Sequence, residues 1–439
     1  MKRIICFAAA AIFVLAIARH AMADSPRSAK FDLTVEAGKH DRTDTPVAVL
    51  LAVPAEFQTS TVVKLVGSDQ KEIPAQLGPP RLNASEHAAA HGATQRELDF
   101  ILPQLKAGAS ARFVAEIFPA GATPFTAGLM PSDQGFHWKD TPGAHMLLTL
   151  AGRPVMQYMY HALDDSTKAS HQRTYKPYHH VFDSTGKILL TKGPGGQDTH
   201  HRGLFYGFNR ITYGEPDDLK HADTWQCLGD SYESHEGFLD TEAGPVLGRQ
   251  LLAIDWHGEK KEVFAHERRE MTVYNVPGGT LIDFASTLTT ADGPVKLDGD
   301  PQHAGFHFRA PNEVAAKTSK QTYFVRPDGV GKLDENRNWS GRNDPKTTNL
   351  PWKGMCFVLG EKRYTAALID RPSNPKDARY SERSYGRFGS YFVYTMTKDK
   401  PLRVAYRFWI QDGEMQPDQI ARLADDFVEP PAVTVKPVE

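Results

Sequence analysis

The chain has 439 residues, a formal net charge of −2 and 24% charged residues. This near-neutral balance provides neither a basic field for nucleic acid nor a polybasic patch for a membrane surface, so both classes of partner are excluded. Neutral or mildly charged small molecules and glycans are the partners that the composition favours.

The first segment of the chain has the pattern of a targeting signal. Lys2 and Arg3 form a basic start, a short apolar run follows, and the sequence A-M-A ends at Ala23. This pattern predicts a signal peptide over residues 1–23 that is cleaved after Ala23, and the apolar run is too short for an ordinary membrane span. We therefore expect a periplasmic or secreted mature protein without a membrane span.

The next part of the chain alternates apolar and polar residues in short runs bounded by Gly, Pro, Asn and Asp, which is typical of β-strands. The predicted strands span 31–37, 47–53, 61–66, 72–77, 97–102 and 111–118. We predict that residues 24–120 form a small N-terminal β-sandwich with a polar loop at 84–92. Glycines and prolines between 120 and 133 predict a linker.

From residue 135 onward the predicted strands are longer and pair in hairpins. The hairpins join 145–151 to 154–161, 249–257 to 261–276, and 388–397 to 402–411. No strand–helix repeat occurs, which argues against a parallel α/β sheet. We predict an all-β fold in which residues 135–430 form a large antiparallel β-supersandwich. One helix is predicted over 416–427, ended by Pro430 and Pro431.

Cysteine usage leaves two alternatives open. Of the three cysteines, Cys6 is removed with the predicted signal peptide, which leaves Cys227 and Cys356. In an oxidising compartment these two residues either form one disulfide or remain two small buried thiols.

A glycine-rich bend in residues 192–209 precedes the adjacent His200 and His201, then Arg202 and an aromatic run that reads as a strand. Glycines let the backbone turn sharply, so the polar side chains of this stretch can be offered at the mouth of a sheet. More than half of the 18 histidines lie between His161 and His307. This clustering favours a functional site, and the alternative is that these side chains only tie loops together.

Two predicted strands carry a polar face that favours a cleft. Strand 303–310 places His303, His307 and Arg309 on one face and its phenylalanines on the other. Strand 262–274 carries Glu270 on a face that is either solvated or lines the cleft. Aromatic side chains near the histidines would stack on sugar rings. The candidate catalytic residues are His200, His201, Arg202, Tyr206, His307 and Arg309. The candidate substrate-binding residues are Asp198, His179, His180, Trp225, Glu270, Arg383 and Tyr385.

These residue types supply the chemistry of β-elimination from an acidic sugar. Arginine pairs with a carboxylate such as that of a uronic acid, histidine titrates near neutrality, and tyrosine can donate a proton. Hydrolysis is the rival, because it needs two flanking carboxylates. The available acids are Asp198, Glu233, Glu236, Glu267 and Glu270, and their spacing indicates no pair.

A metal is the third chemical alternative. The side chains of His179, His200, Asp198 and His307 offer the nitrogen and oxygen donors that suit zinc, iron or copper. No H-E-x-x-H, H-x-H or C-x-x-C spacing supports such a site. We therefore assign no cofactor, and a divalent metal stays an open alternative.

Five motifs stand out in this chain: T-H-H-R-G-L-F-Y-G at 199–207, H-A-D-T-W-Q-C at 221–227, S-H-E-G-F at 234–238, H-F-R-A at 307–310 and F-W-I-Q-D-G at 408–413. Together they resemble a bacterial family of exported proteins labelled methane oxygenase PmoA-like. The family pattern has proline before the histidine pair, where this chain has Thr199. The resemblance implies a β-sandwich organisation similar to that of galactose mutarotases, in the company of carbohydrate-degrading proteins.

The predicted function is that of an exported carbohydrate-active enzyme, a polysaccharide lyase or glycoside hydrolase that acts on a glycan or oligosaccharide through a His/Arg cleft. A glycan-binding protein without turnover is one alternative. The other is a metal-dependent oxygenase, as the label of the family that the chain resembles suggests.

Overall fold

The computed structural model describes residues 28–82, 84, 93–121 and 134–438. The predicted signal peptide at 1–23, nearly all of the predicted loop at 84–92 and most of the predicted linker at 120–133 lie outside the described residues. Within the described ranges, no helix is long and apolar enough to cross a membrane.

A small β-sandwich forms the N-terminal part. Its strands are β1 (Ala29–Glu36), β2 (Arg42–Pro54), β3 (Val63–Gly67), β4 (Glu72–Ile73), β5 (Ala75–Gly78), β6 (Ala93–Leu105) and β7 (Ser110–Ile117), and a 3-10 turn covers Ala55–Phe57. Side chains at alternate positions of β1, such as Phe31, Leu33 and Val35, are buried in the core of this sandwich, as the period of a half-buried strand requires.

The second part is a much larger antiparallel β-sandwich. Its strands are β8 (Phe136–Thr141), β9 (His145–Leu150), β10 (Arg153–Met159), β11 (Tyr178–Val181), β12 (Leu204–Phe208), β13 (Arg210–Tyr213), β14 (Lys220–Ala222), β15 (Tyr232–Ala243), β16 (Leu247–His257), β17 (Val263–Tyr274), β18 (Thr280–Thr290), β19 (Val295–Asp298), β20 (Ala304–Arg309), β21 (Tyr323–Arg326), β22 (Gly329–Val330), β23 (Trp352–Leu359), β24 (Lys362–Asp370), β25 (Arg379–Arg383), β26 (Arg387–Tyr391), β27 (Tyr394–Met396) and β28 (Leu402–Asp412). Helix α1 (Lys168–Thr174), a π-helical turn at Val314–Thr318 and a 3-10 turn at Ser319–Gln321 connect strands. The predicted all-β fold is confirmed.

Two sheets face each other across the main core. The front sheet has eight strands in the order β25-β26-β20-β12-β11-β10-β9-β8, and the back sheet has nine in the order β15-β16-β17-β18-β28-β24-β23-β21-β22. Aromatic side chains meet between them, with the rings of Phe284 and Phe306 stacked at 4.0 Å. A four-stranded sheet, β14-β13-β19-β27, packs at one end of this core.

Two of the three predicted hairpins are confirmed, those joining β9 to β10 and β16 to β17. The third is wrong, because β26 pairs with β20 and β25 in the front sheet while β28 lies between β18 and β24 in the back sheet. Both strands are largely buried on both faces, so their sequence lacks the alternation that would have identified their partners.

The predicted C-terminal helix is confirmed as α2 (Pro417–Val428). Gln416 and Gln419 form a reciprocal capping box at its start, and Ile420, Ala424 and Phe427 bury one stripe against the outer side of the back sheet. The short helix α1 was not predicted, because its sequence, K-A-S-H-Q-R-T, is mostly polar and shows no apolar stripe.

The last strand, β29 (Ala432–Val438), returns to the small sandwich and pairs with β1 along its length. This strand lies beyond the predicted domain end at residue 430. Arg42 strengthens the return by donating hydrogen bonds to the Asp426 carboxylate and to the carbonyl of Glu429. The end of the chain is therefore built into the N-terminal sandwich.

The two cysteines of the described chain are both buried free thiols. The thiol of Cys227 contacts the carbonyl oxygens of Tyr175 and Thr224, whereas Cys356 lies in β23 of the back sheet. The sequence left open either one disulfide or two buried thiols, and the structure has two separate thiols.

Candidate functional site

The site lies on the outer face of the front sheet, the face turned away from the main core. Strands β12 and β20 are neighbours there, with Phe205 opposite His307 in the register. Successive side chains of a strand point to opposite faces. Phe205, His307 and Arg309 therefore point outward, while Tyr206 and Phe308 belong to the main core.

A loop over residues 192–203 covers this outer face and is pinned at both ends to the end of β20. The amide of Lys192 donates to the carbonyl of Arg309, and the amide of Arg309 donates to the carbonyl of Gly203, both at 2.9 Å. Gly203 has a φ of +41°, and a Cβ at this position would lie 2.0 Å from the carbonyl oxygen of His179. Only glycine fits where the loop crosses β11 this closely.

The ammonium group of Lys192 holds the interior of the same loop. It donates to the carbonyl oxygens of Gly193, Asp198 and His201 at 3.2, 3.1 and 3.0 Å. Burial, followed by the charge of Arg309, lowers the pKa of Lys192 to about 7. With its donors directed at three carbonyls, this side chain serves as a fixed support beneath the loop.

Five side chains meet under this loop, and we call them the histidine cluster: Asp198, His200, His201, His303 and Tyr385. The ring centroid of His201 lies 4.3 Å from that of His200, 6.4 Å from that of His303 and 6.3 Å from that of Tyr385. Its Nδ1 lies 3.7 Å from Oδ2 of Asp198. The sequence stretch 198–201 and two distant segments are thus joined in one place.

The adjacent histidines, His201 buried and His200 half-buried, carry unused polar atoms. His201 is only 2% exposed, and among the described residues neither of its ring nitrogens has a hydrogen-bond partner, nor does Nε2 of His200. Leaving one such buried atom unpaired costs about 1–3 kcal/mol. Burial is the first cause that lowers the pKa of His200 to about 3 and that of His201 well below its usual range, so both rings are neutral.

His303 is held by a carboxylate. Its Nδ1 lies 2.9 Å from Oδ1 of Asp300, which also accepts from the amide of Gln302, while Oδ2 accepts from Nδ2 of Asn209. Despite burial, hydrogen bonds from His303 and Gln302 lower the pKa of Asp300, which therefore stays ionised. An ionised Asp300 accepts a hydrogen bond from Nδ1–H of His303, which leaves Nε2 as the acceptor of the neutral ring.

Arg309 offers an unused hydrogen-bonding edge. Its Nη1 donates to the carbonyl oxygens of Ala310 and Tyr385 at 3.0 and 2.6 Å, while Nε and Nη2 are buried without a partner in the described part of the chain. The guanidinium lies 4.8 Å from the centre of the Tyr385 ring. Burial lowers its pKa to about 10, so it remains charged near neutrality. Nε and Nη2 form one side of the planar fork that binds a carboxylate in bidentate fashion.

Further cations surround the cluster. Lys176 is buried with its ammonium against the carbonyls of Thr224 and Trp225, and Arg387 donates to Nδ1 of His307 at 3.0 Å. Both cations, together with Lys192, help to lower the pKa of His200. Burial lowers the pKa of Lys176 as well as that of Lys192, so the positive charge of the site rests mainly on the guanidinium groups of Arg309 and Arg387, and this charge favours an anionic ligand.

The sequence profile of a family of unknown function, DUF6807, matches residues 145–425. The chain belongs to this family. The match includes the front sheet from β9 onward, the loop at 192–203 and the whole histidine cluster. The match to DUF6807 does not connect the chain to methane oxygenase PmoA, which is the label of the family that the motifs resemble.

No curated protein matches this DUF6807 chain. Among solved structures, an alpha-mannosidase from Enterococcus faecalis V583 is 8% identical with a TM-score of 0.43, and the match covers 94% of this chain and 46% of that one. A protein in glycosyl hydrolase family 38 from Enterococcus faecalis is 7% identical with a TM-score of 0.43, with coverages of 94% and 47%. The chain spans about half the length of these structures.

Two predicted catalytic residues of the DUF6807 chain, Tyr206 and Arg202, offer no free polar atom to the histidine cluster. Tyr206 lies on the inner face of the front sheet, with its ring 5.7 Å from that of Trp256. Arg202 is 0% exposed and donates to the carbonyls of Gln172 and Arg173 at the end of α1. Tyr206 does not reach the site because the alternation of side chains along β12 directs it into the main core. Arg202 does not reach it because its guanidinium is hydrogen-bonded to the C-terminal end of α1.

His307 is on the predicted face, yet both of its nitrogens are engaged. Nδ1 accepts from Arg387, so Nε2 carries the proton that is donated to the carbonyl of Ala304 at 2.9 Å. Neither nitrogen of His307 is therefore free, and the ring supports the floor of the site. The catalytic role assigned to His307 from the sequence stays a prediction. Of the predicted catalytic residues, His200, His201 and Arg309 have free polar atoms there.

Three of the predicted substrate-binding residues, His180, His179 and Trp225, are not free groups at the site. His180 uses both ring nitrogens, on Thr191 and the Tyr178 hydroxyl, and His179 stacks on Tyr158 on the inner face. Trp225 is 0% exposed and packs on Phe205, so its ring is not a free platform for a sugar. The inward position of His179 also removes it from the predicted metal ligands.

Three of the predicted substrate-binding residues remain. Asp198 and Tyr385 belong to the cluster, and Arg383 lies near its rim with Nη1 bound to the carbonyl of Glu382. Glu270 does not lie there. It lines a cavity of about 940 Å³ between the small sandwich and the outer side of the back sheet, where its carboxylate accepts from the amide of Leu82 at 2.8 Å.

Sequence reasoning missed the pairing of His303 with Asp300 and the supports Lys192 and Arg387. His303 and Asp300 are three residues apart, and His303 was on a predicted polar face, so a local signal existed. Arg387 gave no signal, because its neighbour relation to β20 depends on the strand order of the front sheet.

Proposed function

We propose that this chain is an exported carbohydrate-active enzyme that binds an acidic glycan at the histidine cluster and cleaves it by β-elimination. The observation that carries the proposal is the unused Nε and Nη2 edge of Arg309, buried beside neutral histidines and several cations. Such an edge matches the two oxygens of a uronic acid carboxylate. The hydroxyl oxygens of a neutral sugar could accept from both donors but would leave the charge of Arg309 without a counter-charge.

The described residues supply each step. Arg309 pairs with the carboxylate and makes the proton on the adjacent carbon more acidic. His303, with Nδ1 held by Asp300, accepts that proton on Nε2. The electron pair forms a carbon–carbon double bond as the neighbouring carbon–oxygen bond breaks, and Tyr385 donates its hydroxyl proton to the departing oxygen. Water is not consumed, and the products are a new chain end and an unsaturated uronate.

Entry of the sugar requires a local opening. Arg309 and His201 are buried, whereas Tyr385 and Asn312 are only partly buried and form the rim. Residues 193–197 pass over this rim, where Gly195 and Gly196 have φ values of +87° and +69°. We expect this glycine-rich segment and the Tyr385 side chain to move outward when the ligand enters.

The positions of the carboxylates favour elimination over hydrolysis. Of the acids considered for hydrolysis, Glu233 and Glu267 are buried between the two sheets with Arg269, and Glu270 lies on the far side of the back sheet. Glu236 is exposed and accepts from Ser234. Among the described acids Asp198 alone of this group reaches the cluster, so a flanking pair is not assembled from them.

The test uses the purified mature chain with a panel of neutral and uronic acid oligosaccharides. Elimination gives both the ultraviolet absorbance of an unsaturated uronate and new reducing ends, whereas hydrolysis gives reducing ends alone. Saturable binding with neither product would instead identify a glycan-binding protein. Binding only to neutral sugars would refute the proposed role of Arg309.

Variants then locate the activity. We expect His303→Gln to lower kcat by about 100-fold or more, as loss of a general base does, and Arg309→Lys to raise KM and lower kcat because lysine lacks the fork. His266→Gln is the matched control, since His266 is an exposed histidine paired with Asp255 on the back sheet. Activity of His303→Gln within a few-fold of the parent would contradict the mechanism.

A further inference from the structure

We infer that Asp198, His200 and His201 form a binding site for one divalent transition metal ion. Each side chain offers one ligand atom, and these three atoms all lie within 4.8 Å of one another. The site is compact in sequence, since all three ligands come from four consecutive residues. It goes beyond the proposed elimination, which assigns no role to this trio.

The spacing is close to what an ion requires. Zinc–nitrogen and zinc–oxygen bonds of about 2.0–2.2 Å place neighbouring ligand atoms about 3.5 Å apart in a tetrahedral site. The widest gap is at most 4.8 Å, and we expect side-chain rotation to close it when an ion binds. Asp198 is partly exposed in the loop and is free to make this movement.

A second observation points independently to a ligand. His201 is 2% exposed, and in the described chain both of its ring nitrogens lack a hydrogen-bond partner; Nε2 of His200 is in the same condition. Other histidines on this face, such as His180 and His307, have both nitrogens engaged. Buried polar atoms are normally paired, so the pair at 200–201 is left open for a group from outside the chain.

The backbone that carries the ligands is already fixed. The amide of His201 donates to the carbonyl of Asp198 at 3.0 Å, which closes a turn between the first and last ligand. Lys192 holds the carbonyls of the same two residues, at 3.1 and 3.0 Å. Metal binding therefore pays little conformational entropy for ordering this loop.

The ligand set indicates the class of metal. Two imidazoles and one carboxylate suit zinc, iron(II) and related first-row ions, whereas calcium and magnesium prefer oxygen ligands only. The three ligands leave further coordination positions open, as in catalytic rather than structural sites. A carboxylate paired with Arg309 would lie near these positions.

The surrounding cations set the strength of binding. Arg309, Arg387 and the protonated form of Lys192 repel a dication, and Asp198 supplies the compensating charge of the trio. An anionic sugar on Arg309 adds negative charge at the same place. We therefore expect the metal and a uronate to strengthen each other's binding, since coupling between two ligands is reciprocal.

The experiment titrates metal-stripped mature protein with Zn²⁺ by calorimetry and with Co²⁺ by visible absorption, each with and without excess glucuronate. The variants are Asp198→Asn and His201→Gln. Asn tolerates the positive φ of residue 198, which is +52°, so the first variant should keep the loop intact. His266→Gln controls for metal bound by the exposed pair of His266 and Asp255.

We expect one ion per chain in the parent and in His266→Gln, and affinity lower by roughly 10- to 100-fold or more in each ligand variant. Absence of stoichiometric binding both with and without glucuronate would overturn the inference. So would equal affinity in the parent and in a folded Asp198→Asn variant. The titration measures binding and the oligosaccharide assay measures cleavage, so the two proposals fail separately. Metal binding without glycan cleavage refutes only the proposed function, and cleavage by metal-free protein that binds no metal refutes only this inference.

Discussion

The substitution Arg202→Met tests whether this arginine is a support for the site or a group that meets the substrate. Arg202 is 0% exposed, and its guanidinium lies 4.1 Å from the centre of the Tyr175 ring. It donates to the carbonyls of Gln172 and Arg173, which belong to the last turn of α1. These contacts join the loop at 192–203 to the helix.

The magnitude follows from these contacts. Hydrogen bonds to a charged group contribute about 1.5–3 kcal/mol each, and a desolvated cation–π contact contributes about 2 kcal/mol. Methionine keeps part of the buried volume but leaves two carbonyls unpaired. Allowing for non-additivity, we expect the free energy of unfolding to fall by about 3–5 kcal/mol. Arg202→Lys should recover part of this loss, because lysine keeps the charge but not the fork.

The assay is equilibrium urea unfolding followed by tryptophan fluorescence, with separate fits if the two sandwiches unfold in separate transitions. Arg422→Met is the control, since Arg422 is an exposed residue of α2 paired with Asp418, and its loss should cost less than about 0.5 kcal/mol. A change below about 1 kcal/mol in Arg202→Met, together with lost activity, would refute the support role. That result would return Arg202 to the catalytic residues.

Two further predictions concern stability. Burial raises the pKa of Glu270 to about 7, so the folded state favours the protonated form. Glu270 should therefore contribute a decline of about 3 kcal/mol in the free energy of unfolding as pH rises from 4.5 to 7. In unfolding curves measured across that range, Glu270→Gln should lower the total decline by about this amount and leave the part that the buried Glu233, Asp99 and Asp370 contribute. An unchanged slope in that variant would show that another group is responsible. In Gly203→Ala, the new Cβ would meet the carbonyl of His179, so we expect the free energy of unfolding to fall by more than about 2 kcal/mol. In Gly108→Ala, where φ is also positive but the space is open, we expect it to fall by about 1 kcal/mol. Equal losses of stability for the two variants in thermal unfolding would contradict the close approach of Gly203 to the carbonyl of His179.

The all-β class, the first two hairpins of the large sandwich and the helix α2 followed from the sequence. These features depend on local periodicity, because a strand with one solvated face alternates and an amphipathic helix repeats its apolar residues every three or four positions. The loop at 192–203 was also recognisable, since its glycines and adjacent histidines stand together in the chain.

What the sequence could not decide is which polar groups are free. His201 and His307 look alike as letters, but Arg387 from a distant strand occupies one nitrogen of His307, while His201 has no such neighbour in the described chain. Arg202 and Arg309 differ in the same way, since one caps α1 and the other keeps an open edge. Such differences arise from pairing between segments far apart in sequence, and only the tertiary structure determines that pairing.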